Sequence, residues 1–218
     1  MASNPRWRMP LGAWQALFKQ WIEEADYHSV EDALILLDMR AVAGDTTLYE
    51  RLAATITEQL RNASFFKSIL ACISIGRKPP LGFFRTFVLD RNGDHKEELD
   101  IKETGTGPIV DAARLFAADR GISETNTVDR LTALRVVGYI DRKLLIELQE
   151  AFEFLTLLRL ENQLQQAREG RPLNNHVSPR KLTHLQKGLL REAFQTVARV
   201  QSLIDDRFRT ALWAQLGK

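Results

Sequence analysis

Residues Asp141–Pro172 read DRKLLIELQEAFEFLTLLRLENQLQQAREGRP. Asp141 is a helix N-cap, and Leu144, Leu148, Ala151, Leu155 and Leu158 then recur on one helical face. Gly170-Arg171-Pro172 ends the run, because glycine favours a helix C-terminus and proline cannot continue one. The spacing predicts a helix over 142–169. After a polar loop at Asn174–Pro179, Thr183 opens a second long helix that the pattern carries to about Trp213. Two long helices joined by a short polar loop pair antiparallel. The fold class follows: mainly α, a helical bundle with two long antiparallel C-terminal helices.

The rest of the chain is also largely helical in pattern. Pro10 suits a first helical position, and Leu11, Trp14, Phe18, Trp21, Ile22 and Ala25 form an apolar stripe behind it. Ser29 followed by Asp32 reads as a cap for the apolar run Val30–Met39, which favours helix over buried strand. Asp45 caps a helix at Thr46–Arg61, and Ser64 caps the next, which carries Phe65, Ile69, Cys72 and Ile73. Arg77-Lys78-Pro79-Pro80-Leu81-Gly82 stops that pattern. Phe83–Leu89 and Glu98–Lys102 flank Asp90-Arg91-Asn92-Gly93-Asp94, and Asn92-Gly93 predicts one small β-hairpin. The same loop is not a calcium site, since His95 stands where an EF-hand requires glycine. Pro108 starts a helix ending at Gly121, and Thr125-Asn126-Thr127 caps a short one stopping at Gly138.

Composition excludes several classes. The chain has 218 residues, 44% hydrophobic, long enough for a sizeable core. Its one cysteine, Cys72, rules out an internal disulfide framework and any cysteine-based zinc site. No apolar run is long enough for a membrane span, and Met1–Arg8 lacks the apolar stretch of a signal peptide, so a cytoplasmic location is expected. Lys and Arg number 30 against 28 Asp and Glu, but the charge is uneven: residues 159–218 hold 11 basic and 5 acidic side chains. A basic C-terminal third can meet phosphate, nucleic acid or an acidic protein face, or be a solvated surface. Aromatic residues are not interleaved with the positive ones, which argues against nucleic acid.

One polar constellation stands out. His95-Lys96-Glu97-Glu98-Leu99-Asp100-Ile101-Lys102 precedes Gly105, Gly107 and Pro108. Two glycines before a helix N-terminus can seat an anion, with Lys102 adding charge; the same residues also suit a plain turn. Asp111 and Arg114 lie three apart on the following helix, Arg130 on the next, and Arg159 and Gln163 four apart among leucines of the long one. The expectation is that Lys102, Asp111, Arg114 and Arg130 converge on one cleft, with Arg159 and Gln163 on its floor and His95 nearby. The competing expectation is that Asp111 pairs with an arginine only to brace helices. The four histidines lack metal-ligand spacing, and no catalytic nucleophile arrangement is present, so neither catalytic nor metal-binding residues are assigned.

Several ordered segments carry a family resemblance: MASNPRWRM at Met1–Met9, LDMRAVAGD at Leu37–Asp45, RKPPLGFF at Arg77–Phe84, HKEELDIK at His95–Lys102, GPIVDAAR at Gly107–Arg114 and ETNTVDRL at Glu124–Leu131. Together they resemble the C-terminal portion of bacterial signal-transduction proteins with a nucleotidyltransferase domain, in which cyclic-nucleotide-binding and cystathionine-beta-synthase-type (CBS) domains often lie upstream. That family is distantly similar to the nitrogen-regulatory uridylyltransferases and to glutamine synthetase adenylyltransferase. The resemblance implies a helical substrate-binding domain at 63–218 and the end of a nucleotidyltransferase-like domain at 1–62. It implies magnesium and a nucleoside triphosphate as cofactors of the intact parent, and none in this chain. The Gly-Ser turn and Asp-x-Asp pair of such enzymes do not occur here. The chain therefore reads as part of a longer protein, inactive alone, that holds nucleotide or acceptor for a catalytic domain it lacks. Its expected partners are that domain, a nucleotide or phosphate, a protein acceptor or a second copy. The alternative is a helical protein-interaction module that binds no nucleotide.

Overall fold

Eight α-helices carry the fold of the computed structural model, which describes residues 4, 7–82, 84, 86–89 and 93–210. They are α1 (Leu11–Glu23), α2 (Tyr27–Leu36), α3 (Thr46–Asn62), α4 (Ser64–Gly76), α5 (Gly107–Arg120), α6 (Thr127–Val136), α7 (Arg142–Arg168) and α8 (His184–Phe208). The mainly α expectation holds. Asp141 caps α7 by accepting from Leu144 N at 2.9 Å, and a capping box between Thr183 and Gln186 starts α8. The two helices run antiparallel: Glu147, in the second turn of α7, pairs with Arg199, in the second half of α8, at 2.6 Å. Their facing apolar sides, including Leu148, Leu155, Phe194 and Val197, are buried.

α5 is the central element, packed on α3, α4, α6 and α8. Its small residues Ala112, Ala113 and Ala117 let those neighbours approach closely, and Ile109, Leu115 and Phe116 are buried completely or nearly so. One apolar core runs from Phe18 and Trp21 of α1 through α4 and α5 to α8. Arg120 is followed by Gly121 at φ 67°, a left-handed C-cap that glycine adopts without steric cost.

Three local expectations are corrected. α2 begins at Tyr27, because Asp26 is the cap and Ser29 closes its capping box from inside the helix. Ser64 is the first residue of α4 rather than its cap; its carbonyl accepts from Ser68 Oγ at 2.9 Å. The two-stranded antiparallel sheet joins β1 (Leu99–Asp100) not to Phe83–Leu89 but to β2 (His176–Val177) in the α7–α8 connection. Leu81 instead bridges to Phe87, closing that segment on itself. Leu99 puts its side chain in the core from β1, Ile101 does so from the helical residue just after it, and Val177 from β2, so burial selects this partner. Asp90, Arg91 and Asn92 of the expected hairpin turn lie outside the described residues.

Candidate functional site

Asp38 follows the C-terminal turn of α2 and is the anchor of a chain of ion pairs. Its Oδ1 accepts from Arg130 Nη1 at 2.7 Å and from Arg114 Nε at 3.3 Å, and its Oδ2 accepts from Arg114 Nη2. Arg130 Nη2 also donates to the Leu37 carbonyl at 3.0 Å. Arg114 Nη1 reaches back one helical turn to Asp111 Oδ1 at 3.2 Å, and Arg77 Nη1 meets Asp111 Oδ2 at 3.2 Å. Arg77 Nε in turn pairs with Glu103 at 3.0 Å. Carboxylates and guanidinia thus alternate from Glu103 through Arg77, Asp111, Arg114 and Asp38 to Arg130.

The sequence dictates this local arrangement. Asp111 and Arg114 share a face of α5 through their three-residue spacing. Asn126 caps α6 by accepting from Val128 N and Asp129 N, which sets Arg130 at the end of its first turn, facing α5. Arg130 is 4% exposed, and its Nε has no hydrogen-bond partner among the described residues. Although burial pushes Asp38 up, the hydrogen bonds and charges of Arg114 and Arg130 hold it below the usual carboxylate range. Burial dominates at Asp111 and raises it, with Arg114 and Arg77 opposing. Burial also lowers Arg130.

Arg114 and Arg130 line a small hollow, open to solvent, between the end of α2, α3, α5 and the α5–α6 connection. Its apolar wall includes Met39, Ile56 and Ile122; its polar rim includes Tyr49, Ser123 and Thr125. Such a hollow presents guanidinium groups to an anion at one end.

Of the side chains expected to converge, Asp111, Arg114 and Arg130 do so. Lys102 does not join them: it is exposed and makes no ion pair with the described residues. The anion seat before Pro108 is also corrected. Lys102–Thr106 form a π-helical turn that runs directly into α5, and Gly107 N–H already donates to the Lys102 carbonyl. Gly105 is buried, and a Cβ there would come within 3.1 Å of Leu155 and 3.5 Å of Phe194, so a longer side chain would crowd the core.

Arg159, Gln163 and His95 lie apart from the ion-pair chain. Gln163 ties α7 to its following loop through Asn175 Oδ1 at 3.2 Å. His95 stacks on His176 with ring centroids 3.5 Å apart and bonds Glu98 at 3.1 Å. Arg159 is half-buried and makes no ion pair with the described residues.

Asp38, Arg77 and Tyr49 are the participants that residue-by-residue reading missed. Asp38 and Arg77 do lie inside segments that carry the resemblance. LDMRAVAGD supplies Asp38, RKPPLGFF supplies Arg77, GPIVDAAR supplies Asp111 and Arg114, and ETNTVDRL supplies Arg130. Segments scattered along the sequence thus meet at one place in the fold.

Several arginines of the basic C-terminal third are engaged within the fold. Arg199 pairs with Glu147, Arg180 with Glu97, and Arg207 and Arg191 sit over the rings of Tyr139 and Phe87. Among the described residues no helix is long and apolar enough to cross a membrane.

Residues 64–208 match the family model described as "Putative nucleotidyltransferase substrate binding domain". The match begins at the first residue of α4 and ends at the last of α8. No curated protein and no solved structure matches the chain.

Proposed function

Since this chain belongs to the family of nucleotidyltransferase substrate-binding domains, we propose that it holds a phosphate-bearing substrate for a catalytic domain, with Arg114 and Arg130 as the anion-binding groups. The observation that carries this reading is the buried, incompletely satisfied Arg130 beside Arg114 at the wall of an open pocket. A guanidinium held in place by packing loses little entropy when it binds a phosphate, and charge-assisted bonds to it are strong. The apolar wall gives a nucleoside or acceptor group a surface to pack on, and Tyr49 and Thr125 offer hydroxyls at the rim. Magnesium and the triphosphate chemistry belong, in this reading, to the catalytic domain, and this chain orients what that domain acts on.

The charge balance of the ion-pair chain favours a second reading, in which the cluster only braces α2, α5 and α6 within an interaction module. Calorimetric titration separates the two. Nucleoside triphosphates, pyrophosphate and phosphate are titrated into the full chain and into Arg114→Gln. Saturable binding weakened about tenfold or more in Arg114→Gln, the loss of one charge-assisted bond, supports the proposal. Unchanged affinity in the variant, or no binding by any of the three, leaves the bracing role in its place.

A further inference from the structure

The carboxylate that now sits on Arg114 and Arg130 leaves one of their donors unmet. Asp38 offers two oxygens, and these accept from Arg130 Nη1 at 2.7 Å, Arg114 Nε at 3.3 Å and Arg114 Nη2. Arg130 Nε is buried and has no hydrogen-bond partner among the described residues. A terminal phosphate carries three acceptor oxygens and about two negative charges near neutral pH. It can therefore serve four donors where the carboxylate serves three, through charge-assisted bonds. A phosphodiester has two free oxygens and one charge, no more than Asp38 already supplies.

Asp38 is also placed to leave. Its side chain is 34% exposed, against 16% for Arg114 and 5% for Arg130, so the carboxylate is the outermost of the three groups. It stands at the start of the α2–α3 connection, in which residues 40–44 make no backbone hydrogen bond with the other described residues. Arg114 keeps Asp111 on Nη1, and Arg130 keeps the Leu37 carbonyl on Nη2, so neither guanidinium depends on Asp38 alone for its position. Resting on the anion-binding reading above, we propose that Asp38 is an internal stand-in for the substrate's phosphate. It holds the seat on Arg114 and Arg130 in the free protein, and a terminal phosphate displaces it whereas a phosphodiester does not. Asp38 then moves into water, and the α2–α3 connection beyond Leu37 loosens.

Two measurements on the full chain test this. Inorganic phosphate and dimethyl phosphate are titrated calorimetrically into wild type, Asp38→Asn and Arg114→Gln. Trypsin cleavage after exposed Arg40 is followed with and without phosphate, with cleavage after exposed Lys181 as the internal reference. Asp38→Asn is expected to bind phosphate about tenfold or more tightly than wild type, because a neutral amide competes less for the seat. Dimethyl phosphate should bind wild type far more weakly than phosphate does. Saturating phosphate should speed cleavage after Arg40 in wild type several-fold and leave cleavage after Lys181 unchanged. Phosphate binding that is lost in Arg114→Gln but equal in wild type and Asp38→Asn overturns displacement while the anion-binding reading stands. So does cleavage after Arg40 that phosphate slows or leaves unchanged, or dimethyl phosphate binding as tightly as phosphate. Phosphate binding by neither wild type nor Asp38→Asn overturns both.

Discussion

Asp38→Asn removes one negative charge from between two guanidinia while keeping the side chain's size. Arg130 then keeps the Leu37 carbonyl and a neutral amide oxygen as acceptors but loses its counter-charge, in a position where it is 4% exposed. Removing one partner of a fully buried ion pair costs about 3–5 kcal/mol. The Asp38 side chain is 34% exposed, so water screens part of that loss and about 2 kcal/mol is the reasoned figure. For a chain of this length each kcal/mol moves the midpoint by about 2–4 °C, giving a fall of about 4–8 °C. Thermal unfolding followed by circular dichroism measures it. The same variant leaves Arg114 and Arg130 without their shared carboxylate, so millimolar inorganic phosphate should raise its midpoint more than that of wild type. A midpoint within about 1 °C of wild type would refute the assignment of Asp38 as the counter-charge that keeps Arg130 buried.

Three further outcomes are expected. Asp38 and Asp119 are both held below the usual carboxylate range against the pull of burial, Asp38 by its arginines and Asp119 by Lys67 and Tyr139. Their stabilisation is therefore complete above the ordinary aspartate value of about 3.9 and is lost as pH falls through their depressed values. Urea midpoints measured from neutral pH down to about 2.5 should show this fall, and Asp38→Asn/Asp119→Asn should flatten it. Gly107→Ala would bring a Cβ within 2.9 Å of the Lys102 carbonyl oxygen, so the π-helical turn must shift, at a cost of about 1–3 kcal/mol in denaturant unfolding. Gly188→Ala, within α8 and with nothing within 4 Å of the added carbon, should instead stabilise by about 0.5–1 kcal/mol by the same measurement.

The helices were the legible part of the sequence, for physical reasons. α7 and α8 combine a 3.6-residue apolar period with side-chain caps at Asp141 and Thr183, and both signals are local. β1 was legible as an extended segment because Leu99 and Ile101 alternate with polar residues. Its partner was not, since burial of either face is compatible with more than one neighbour and His176–Val177 lies far along the chain. Gly105-Thr106-Gly107 has turn composition, yet burial against Leu155 and Phe194 makes it helical, a tertiary effect that no local window contains. The ion-pair chain divides in the same way. The Asp111–Arg114 pair follows from helix spacing, whereas Asp38 lies 76 residues from Arg114 and 92 from Arg130. A buried arginine demands a counter-charge, but the demand does not say which carboxylate meets it.

Under the proposed function, Arg114 and Arg130 receive a phosphate group at the hollow they line. Its most direct test is nuclear magnetic resonance of the arginine Nε–Hε groups in the full ¹⁵N-labelled chain during titration with a nucleoside triphosphate. Saturable shifts are expected for the Arg114 and Arg130 side-chain signals and for the Thr125 amide, with the Lys102 amide and the Arg199 side chain unmoved. Shifts confined to residues outside the pocket, or no shift at millimolar ligand, would contradict it.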